Sequence, residues 1–196
     1  MITIFYIMGR SGSGKDTIYN KLINSDKLKD LDFKNVILHT TRPMRQGEKD
    51  GREYYFIDDK TFEEMKKQDK FIEIREYNTA NGIWKYGTSI ESFDKDGYYI
   101  GIGTLESFLK LKKKFKNNIK DIFIQVDEDK LFQRTVVRAT GDSNQNIDEI
   151  KRRFDADRID FSSKRIKEAG IVQIFYNNST LEDCVTKIEQ YILNNK

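Results

Sequence analysis

The chain has 196 residues, room for one well-buried core and little for two independent domains. Charged residues make up 34% and hydrophobic ones 37%, and no apolar run approaches the roughly 18 residues that a membrane helix needs, which argues against a membrane protein. A net charge of +3 is too small to argue for a nucleic-acid partner by itself. Met1 leads straight into strand-like sequence without the charged-then-apolar layout of a signal peptide. The single cysteine, Cys184, excludes an intramolecular disulfide and suits a reducing, cytoplasmic location.

Ile2–Met8 (ITIFYIM) is a short apolar, β-branched and aromatic run that reads as a buried strand. Thr17, Ile18, Lys21 and Leu22 fall at helical spacing and predict a helix over Lys15–Ile23. A polar stretch follows, then strand character at Val36–Leu38, a turn at Lys49–Arg52 and a strand at Glu53–Ile57. Thr61-x-x-Glu64 is a capping-box signature that predicts a short helix to Gln68. Phe71–Tyr77 alternates as a strand does, and Asn78–Tyr86, with its Asn-Gly pair, reads as a hairpin connection. Tyr98–Ile102 predicts another short strand; Leu105, Phe108, Leu109 and Leu111 predict a helix whose basic end, Lys110–Lys116, is a solvated face.

Asp121–Val126 returns to strand, and Leu131, Phe132, Thr135 and Val136 mark a helix that runs into a polar loop at Arg138–Asn146. Ile147, Ile150, Phe154 and Phe161 place an apolar stripe on a charged helix. Ile171–Tyr176 predicts the last strand, and Ser179-x-x-Glu182 a cap for a final helix on whose apolar side Cys184 packs. Strands alternating with helices imply an α/β fold with a central parallel sheet. Leu38–Gly87, where strands and turns cluster around one helix, predicts a small mixed or antiparallel subdomain. With the excursion at Arg138–Asn146, it suggests an acceptor-binding flap and a lid.

The turn between the first strand and helix carries the chemistry. Gly9, Arg10, Ser11, Gly12, Ser13, Gly14, Lys15, Asp16 and Thr17 fit G-x-x-x-x-G-K-[ST] in all but the last place, where Asp16 replaces a hydroxyl and Thr17 follows at once. Glycines let the backbone curl until successive N–H groups point at anionic oxygens, and the helix N-terminus adds partial positive charge. Lys15 then reaches the outer phosphates, and Thr17, with Asp16, can hold Mg²⁺. A strand before and a helix after set aside a glycine-rich turn with a chance lysine; the loop predicts a nucleoside triphosphate ligand. Arg42 and Arg45, three apart, can converge on one phosphate as planar forks, with Tyr54 donating a further hydrogen bond.

Residues Thr40–Phe56 (TTRPMRQGEKDGREYYF) resemble the nucleotide-monophosphate-binding segment of guanylate kinases, T-T-R-x-x-R-x-G-E followed by an acidic glycine-bearing turn and a tyrosine. Phe71-Ile72-Glu73 and Tyr86-Gly87-Thr88 are similar to later family motifs, so the resemblance covers Ile4 to Leu193, more strongly up to Thr88. It implies a P-loop kinase of one domain, with a core of residues 1–37, 89–133 and 156–196, a monophosphate-binding region 38–88 and a lid 134–155. The implied reaction is ATP + GMP → ADP + GDP, with Mg²⁺, small-molecule nucleotides as the only partners, no nucleic acid or membrane, and a monomer or homodimer. By the same resemblance Arg42, Arg45, Tyr54 and Tyr86 take the acceptor phosphate, and Glu73 and Thr88 the guanine. Arg134, Arg138 and Arg153 flank the transferred phosphoryl group with Lys15, and Asn177 lies near adenine.

Two places depart from the family pattern. A serine that bonds guanine O6 is replaced by Leu38, and the strand that normally ends in Asp-x-Asp reads Ile100-Gly101-Ile102-Gly103. The Lys-Asp-Thr ending of the loop is also similar to that of ribose 1,5-bisphosphate phosphokinases, which lack Asp-x-Asp as well. Those relatives do not keep the R-x-x-R…Y…E set, which ranks guanylate kinase first. Guanylate kinase-like modules that only bind protein partners have eroded loops, whereas Lys15 and the motif glycines stand here. An acceptor phosphate is already anionic, so the sole histidine, His39, is expected to be an ordinary strand or loop residue. The segment Asn78–Lys85 resembles nothing in the family.

Overall fold

The computed structural model describes residues 1–79, 82–140 and 147–196, apart from the side chains of residues 136, 138–140 and 147–153. β1 (Ile2–Gly9) runs through the middle of a five-stranded sheet ordered β2-β7-β1-β8-β9, in which each strand pairs parallel with its neighbours. The other strands are β2 (Lys34–Asn35), β7 (Gly97–Gly103), β8 (Ile119–Gln125) and β9 (Ile174–Tyr176). β1 is apolar from Ile4 to Met8 because both of its faces are covered there. Ile4, Tyr6 and Met8 point toward α3 (Leu105–Phe115), packing with Phe108 and Leu111. Phe5 and Ile7 point the other way, toward α1 (Lys15–Ile23) and α7 (Leu181–Asn194), packing with Ile18, Leu22, Ile188 and Ile192. Cys184 is buried in that second cluster, and burial pushes its thiol up to about 11, which keeps it protonated and inert.

The second sheet is the predicted mixed subdomain: four strands ordered β4-β3-β6-β5. They are β3 (Leu38–Thr40), β4 (Tyr54–Phe56), β5 (Phe71–Thr79) and β6 (Gly82–Ser89), with β3–β4 parallel and the rest antiparallel. The predicted strand at Val36–Leu38 is the place where the chain passes from one sheet to the other. Val36 still bonds to β7 through Ile100, while Leu38 pairs with Tyr54. The unplaced segment Asn78–Lys85 lengthens the β5–β6 hairpin, with Asn78 opposite Ile83 and Thr79 opposite Gly82; residues 80 and 81 lie outside the description.

Two predicted caps move. Helix α2 (Asp59–Lys67) is capped by Asp58, whose carboxylate accepts from the Thr61 amide at 2.7 Å, so Thr61 is the third helical residue and not the cap. Helix α7 is capped by Thr180, accepting from Asp183 N at 3.1 Å, one residue past Ser179. In both, an Asp or Thr nearer the true boundary competes for the same orphan amides. Arg138–Thr140 belong to α4 (Glu128–Thr140) and not to a loop; residues 141–146 of that predicted excursion lie outside the description. Helix α5 (Ile147–Asp160) follows, then a short helix, α6 (Ser163–Glu168), that periodicity did not predict because six residues are too few to show a stripe. No described helix is long and apolar enough to cross a membrane.

Candidate active site

The glycine-rich turn leaves the C-terminal end of β1, beside the C-terminal end of β7, with Met8 in register with Gly103. That is the edge where open parallel sheets bind ligands. Gly14 caps α1 at φ 86°, a left-handed conformation, and a Cβ there would stand 2.7 Å from the Asn177 amide nitrogen. Asn177 itself is buried and donates to the Ser13 carbonyl at 2.9 Å, so it braces the turn from beneath. Lys15 lines a cavity of about 850 Å³ and lies 3.8 Å from Asp16, which lines it too; Thr17 is exposed beside them. Arg10 is turned to α4, forking onto Glu128 at 2.6 and 3.3 Å, with its guanidinium 4.5 Å over the Phe154 ring.

One loop amide is already engaged. Ser11 N–H donates to Asp157 Oδ2 at 2.5 Å, so a carboxylate from α5 holds a backbone donor of the kind that binds phosphate. At the end of β7, the absent Asp-x-Asp has a steric counterpart. A Cβ on Gly103 would stand 2.1 Å from the Tyr6 hydroxyl, which fills that space and bonds to Ser107 at 2.8 Å. Burial pushes this phenol up to about 12.

Across the cavity, the small sheet supplies Tyr54, Arg75, Tyr77 and Tyr86 to its wall, with Leu38 beside them. Tyr86 packs edge-on against Tyr54 at 5.7 Å and against Tyr77 at 5.6 Å. Burial raises the Tyr54 phenol above its ordinary pKa. Arg42 is buried over the rings of Tyr54 and Phe56 and forks onto Glu48 at 2.7 and 3.0 Å. Glu48 also accepts from the Arg45 amide at 2.7 Å, so a carboxylate sits between the two arginines proposed for one phosphate. Burial opposes the Arg42 charge, but Glu48 outweighs it and raises the Arg42 pKa; Arg42 in turn holds Glu48 below its usual range.

Glu73 stands directly across from Thr88, accepts from its hydroxyl at 2.7 Å, and is paired with Arg75. Arg134 is half-buried on α4, while the side chains of Arg138 on α4 and Arg153 on α5 lie outside the description. His39 is on β3, against the rings of Tyr55 and Phe71, and burial lowers its pKa; it is a strand residue, as expected.

The family model described as guanylate kinase matches residues 2–195. This chain belongs to the guanylate kinase family. Guanylate kinase from Mycoplasma genitalium is 32% identical over 163 residues, 81% of this chain and 63% of that protein. One from Thermus thermophilus is 42% identical over 74 residues, 38% of this chain and 31% of the relative. The chain thus spans less than two thirds of the length of these relatives. Guanylate kinase from Thermobifida fusca is 29% identical over 178 residues, covering 91% of this chain and 85% of that protein. The crystal structure of guanylate kinase from Anaplasma phagocytophilum superposes with a TM-score of 0.67 at 19% identity, over 98% of this chain and 85% of that one, a likeness of fold.

Within this guanylate kinase-family site, sequence reasoning missed Arg75, Asp157 and Tyr6. Arg75 was open to discovery, because a period of two puts it on the same face of β5 as Glu73. Asp157 was not: it meets Ser11 across 146 residues of chain, with no local pattern to announce it.

Proposed function

We propose that the chain catalyses phosphoryl transfer from ATP to GMP, giving ADP and GDP. The observation that carries this reading is a shared cavity with Lys15 and Ser11 of the loop on one side and Tyr54 and Tyr86 of the small sheet on the other. Its volume, about 850 Å³, suits ligands of nucleotide size. Lys15 and the loop amides hold the outer phosphates of the donor; Tyr54 and Tyr86, with Arg42 and Arg45 once Glu48 yields to a phosphate, aim the acceptor. Arg134, Arg138 and Arg153 stabilise the charge in transit as residues 134–155 close like a lid over the region 38–88. The attacking phosphate oxygen is already anionic, so the site needs position and positive charge and no general base.

Asp16 and Asp157 both line the cavity, and oxygen donors of this kind suit Mg²⁺, which is held by one or two carboxylates together with substrate phosphates. Asp16 and Thr17 would hold the ion, which would supply positive charge to the phosphate oxygens. A cytoplasmic location accords with the lone, buried thiol.

A second reading has one specific observation in its favour: Arg75 and Gly103 both line the cavity, a cation beside the place where the family pattern puts a carboxylate, as a sugar bisphosphate would ask. A coupled ADP-release assay with GMP, with ribose 1,5-bisphosphate and with no acceptor separates them. The first reading predicts turnover with GMP alone. Turnover only with the sugar phosphate selects the second reading, and none with either, alongside intact ATP binding, leaves a binding module.

A further inference from the structure

We propose that Arg10 is a positioning residue for the transfer: without touching substrate, it ties helices α4 and α5, which carry Arg134 and Arg153, to the phosphate loop. The inference rests on the phosphoryl-transfer reading above and deepens it.

Arg10 belongs to the loop by sequence but not by direction. Ser11, Lys15 and Asp16 line the cavity, and Arg10 does not. Its side chain is 14% exposed, and both terminal nitrogens fork onto Glu128, the first residue of α4, Nη1 at 2.6 Å and Nη2 at 3.3 Å. The guanidinium carbon stands 4.5 Å from the centre of the Phe154 ring on α5. That ring in turn meets Phe132 of α4 edge-on at 5.7 Å. A planar fork can serve a carboxylate and an aromatic face at once, which the point charge of a lysine does less well. One loop side chain thus joins both helices.

The next loop residues repeat the contact. A Cβ on Gly12 would stand 2.6 Å from Thr135 Oγ1 and 3.1 Å from the Leu131 carbonyl, so α4 lies directly on the loop. Ser11 N–H donates to Asp157 of α5 at 2.5 Å. Thr135 follows Arg134 in the chain, and Phe154 follows Arg153. Two of the arginines expected at the transferred group are therefore each next to a residue that rests on Gly12 or Arg10.

The two ends of α5 are held differently. Phe154, Asp157 and Phe161 fall at helical spacing on one face. Phe161 is buried and stacks on Phe123 of β8 at 5.7 Å, which fixes the C-terminal end of the helix in the core. Asp157 holds a loop amide that a donor phosphate would take, so that contact yields when the loop fills. Arg10, whose contacts lie outside the cavity, then keeps the Phe154 end of α5 on the loop. Donor binding and the placing of the transfer arginines are linked in this way through one side chain.

Kinetics and amide exchange on the whole protein test this. In Arg10→Ala, kcat with ATP and GMP should fall at least ~10-fold, while the calorimetric Kd for ATP stays within about threefold of wild type. Arg10→Lys, which keeps the charge and loses the fork, should fall between the two. Glu128→Ala removes a half-exposed partner and leaves the core intact. It should lower kcat in the same way, and combining it with Arg10→Ala should add little.

The exchange measurement needs no acceptor. With ATP bound, amides of residues 154–160 should exchange at least ~10-fold faster in Arg10→Ala than in wild type, with β1 and β8 unchanged. Unchanged α5 exchange overturns the proposal whatever the acceptor. So does a weakened ATP Kd with kcat intact, which would make Arg10 a ligand of the donor. Faster α5 exchange in the variant, beside a wild type that does not phosphorylate GMP, would sink the GMP reading alone and leave the tie between loop and helices standing.

Discussion

Lys15 and Gly103 mark the two kinds of residue-scale legibility in this chain. Lys15 was readable because a strand, three glycines and a helix flank it in continuous sequence, and it lines the cavity as that pattern requires. On the proposed reaction its charge would serve the transition state and not the core, so Lys15→Ala should cut turnover by ~10²-fold or more with an unchanged melting temperature. Steady-state kinetics beside a thermal melt would check this, and near-wild-type turnover would remove the loop from the mechanism. Gly103 was readable only as a missing carboxylate; its reason is Tyr6, far earlier in the chain on the neighbouring strand. With a Cβ 2.1 Å from the Tyr6 hydroxyl and 2.9 Å from Ser107 Oγ, Gly103→Ala overpacks a closed corner. A cost of about 1–3 kcal/mol is expected, lowering Tm by roughly 2–4 °C for each kcal/mol in a chain of this size. Adding Tyr6→Phe, which removes the hydroxyl, should recover part of the loss; an unchanged Tm in the single variant would show that the corner has room.

Elements were legible wherever one face repeats, and blurred at their ends. α3 and α7 followed their apolar stripes, while the caps of α2 and α7 shifted by one to three residues because several side chains nearby can serve the same amides. What lay beyond reach was how elements touch. α5 returns to the phosphate loop through Asp157 and Ser11, and through Phe154 under the Arg10 guanidinium. A triphosphate seeking the Ser11 amide must displace a carboxylate and meets its charge. Asp157→Ala should therefore tighten ATP binding several-fold when measured by calorimetry without Mg²⁺, a condition that separates this contact from any metal ligation. Unchanged or weaker metal-free affinity would mean that the loop binds its phosphates without disturbing α5.

At the scale of the whole molecule, two sheets face one cavity, and the carboxylates with depressed pKa are unevenly shared, with Glu182 and Glu189 on α7 against the parallel sheet and four around the small one. Glu48 is held below its ordinary pKa by Arg42, Glu53 by the Lys49 amide, Asp58 by Thr61 and Glu63 by Lys85, all within the small sheet and its helix. A folded-state pKa below the unfolded one contributes stability that is present above the ordinary carboxylate value and lost as pH falls through the depressed value. The small sheet should thus loosen first on acidification. Trp84, the chain's single tryptophan, is on β6 and reports on it. Its fluorescence should change at higher pH than the far-ultraviolet helical signal, which comes mostly from the helices around the parallel sheet; coincident transitions would show one cooperative unit. The division into two sheets was legible in the clustering of strands between Leu38 and Gly87, whereas the ion pairs that stabilise the smaller one join side chains whose approach only folding decides. The central claim is that both sheets serve a single transfer, and the most direct measurement follows the γ-phosphoryl group itself. With γ-labelled ATP, Mg²⁺ and GMP, the label should appear in GDP at a rate cut ~10²-fold or more by Lys15→Ala; label released only as inorganic phosphate, or retained in ATP, would contradict it.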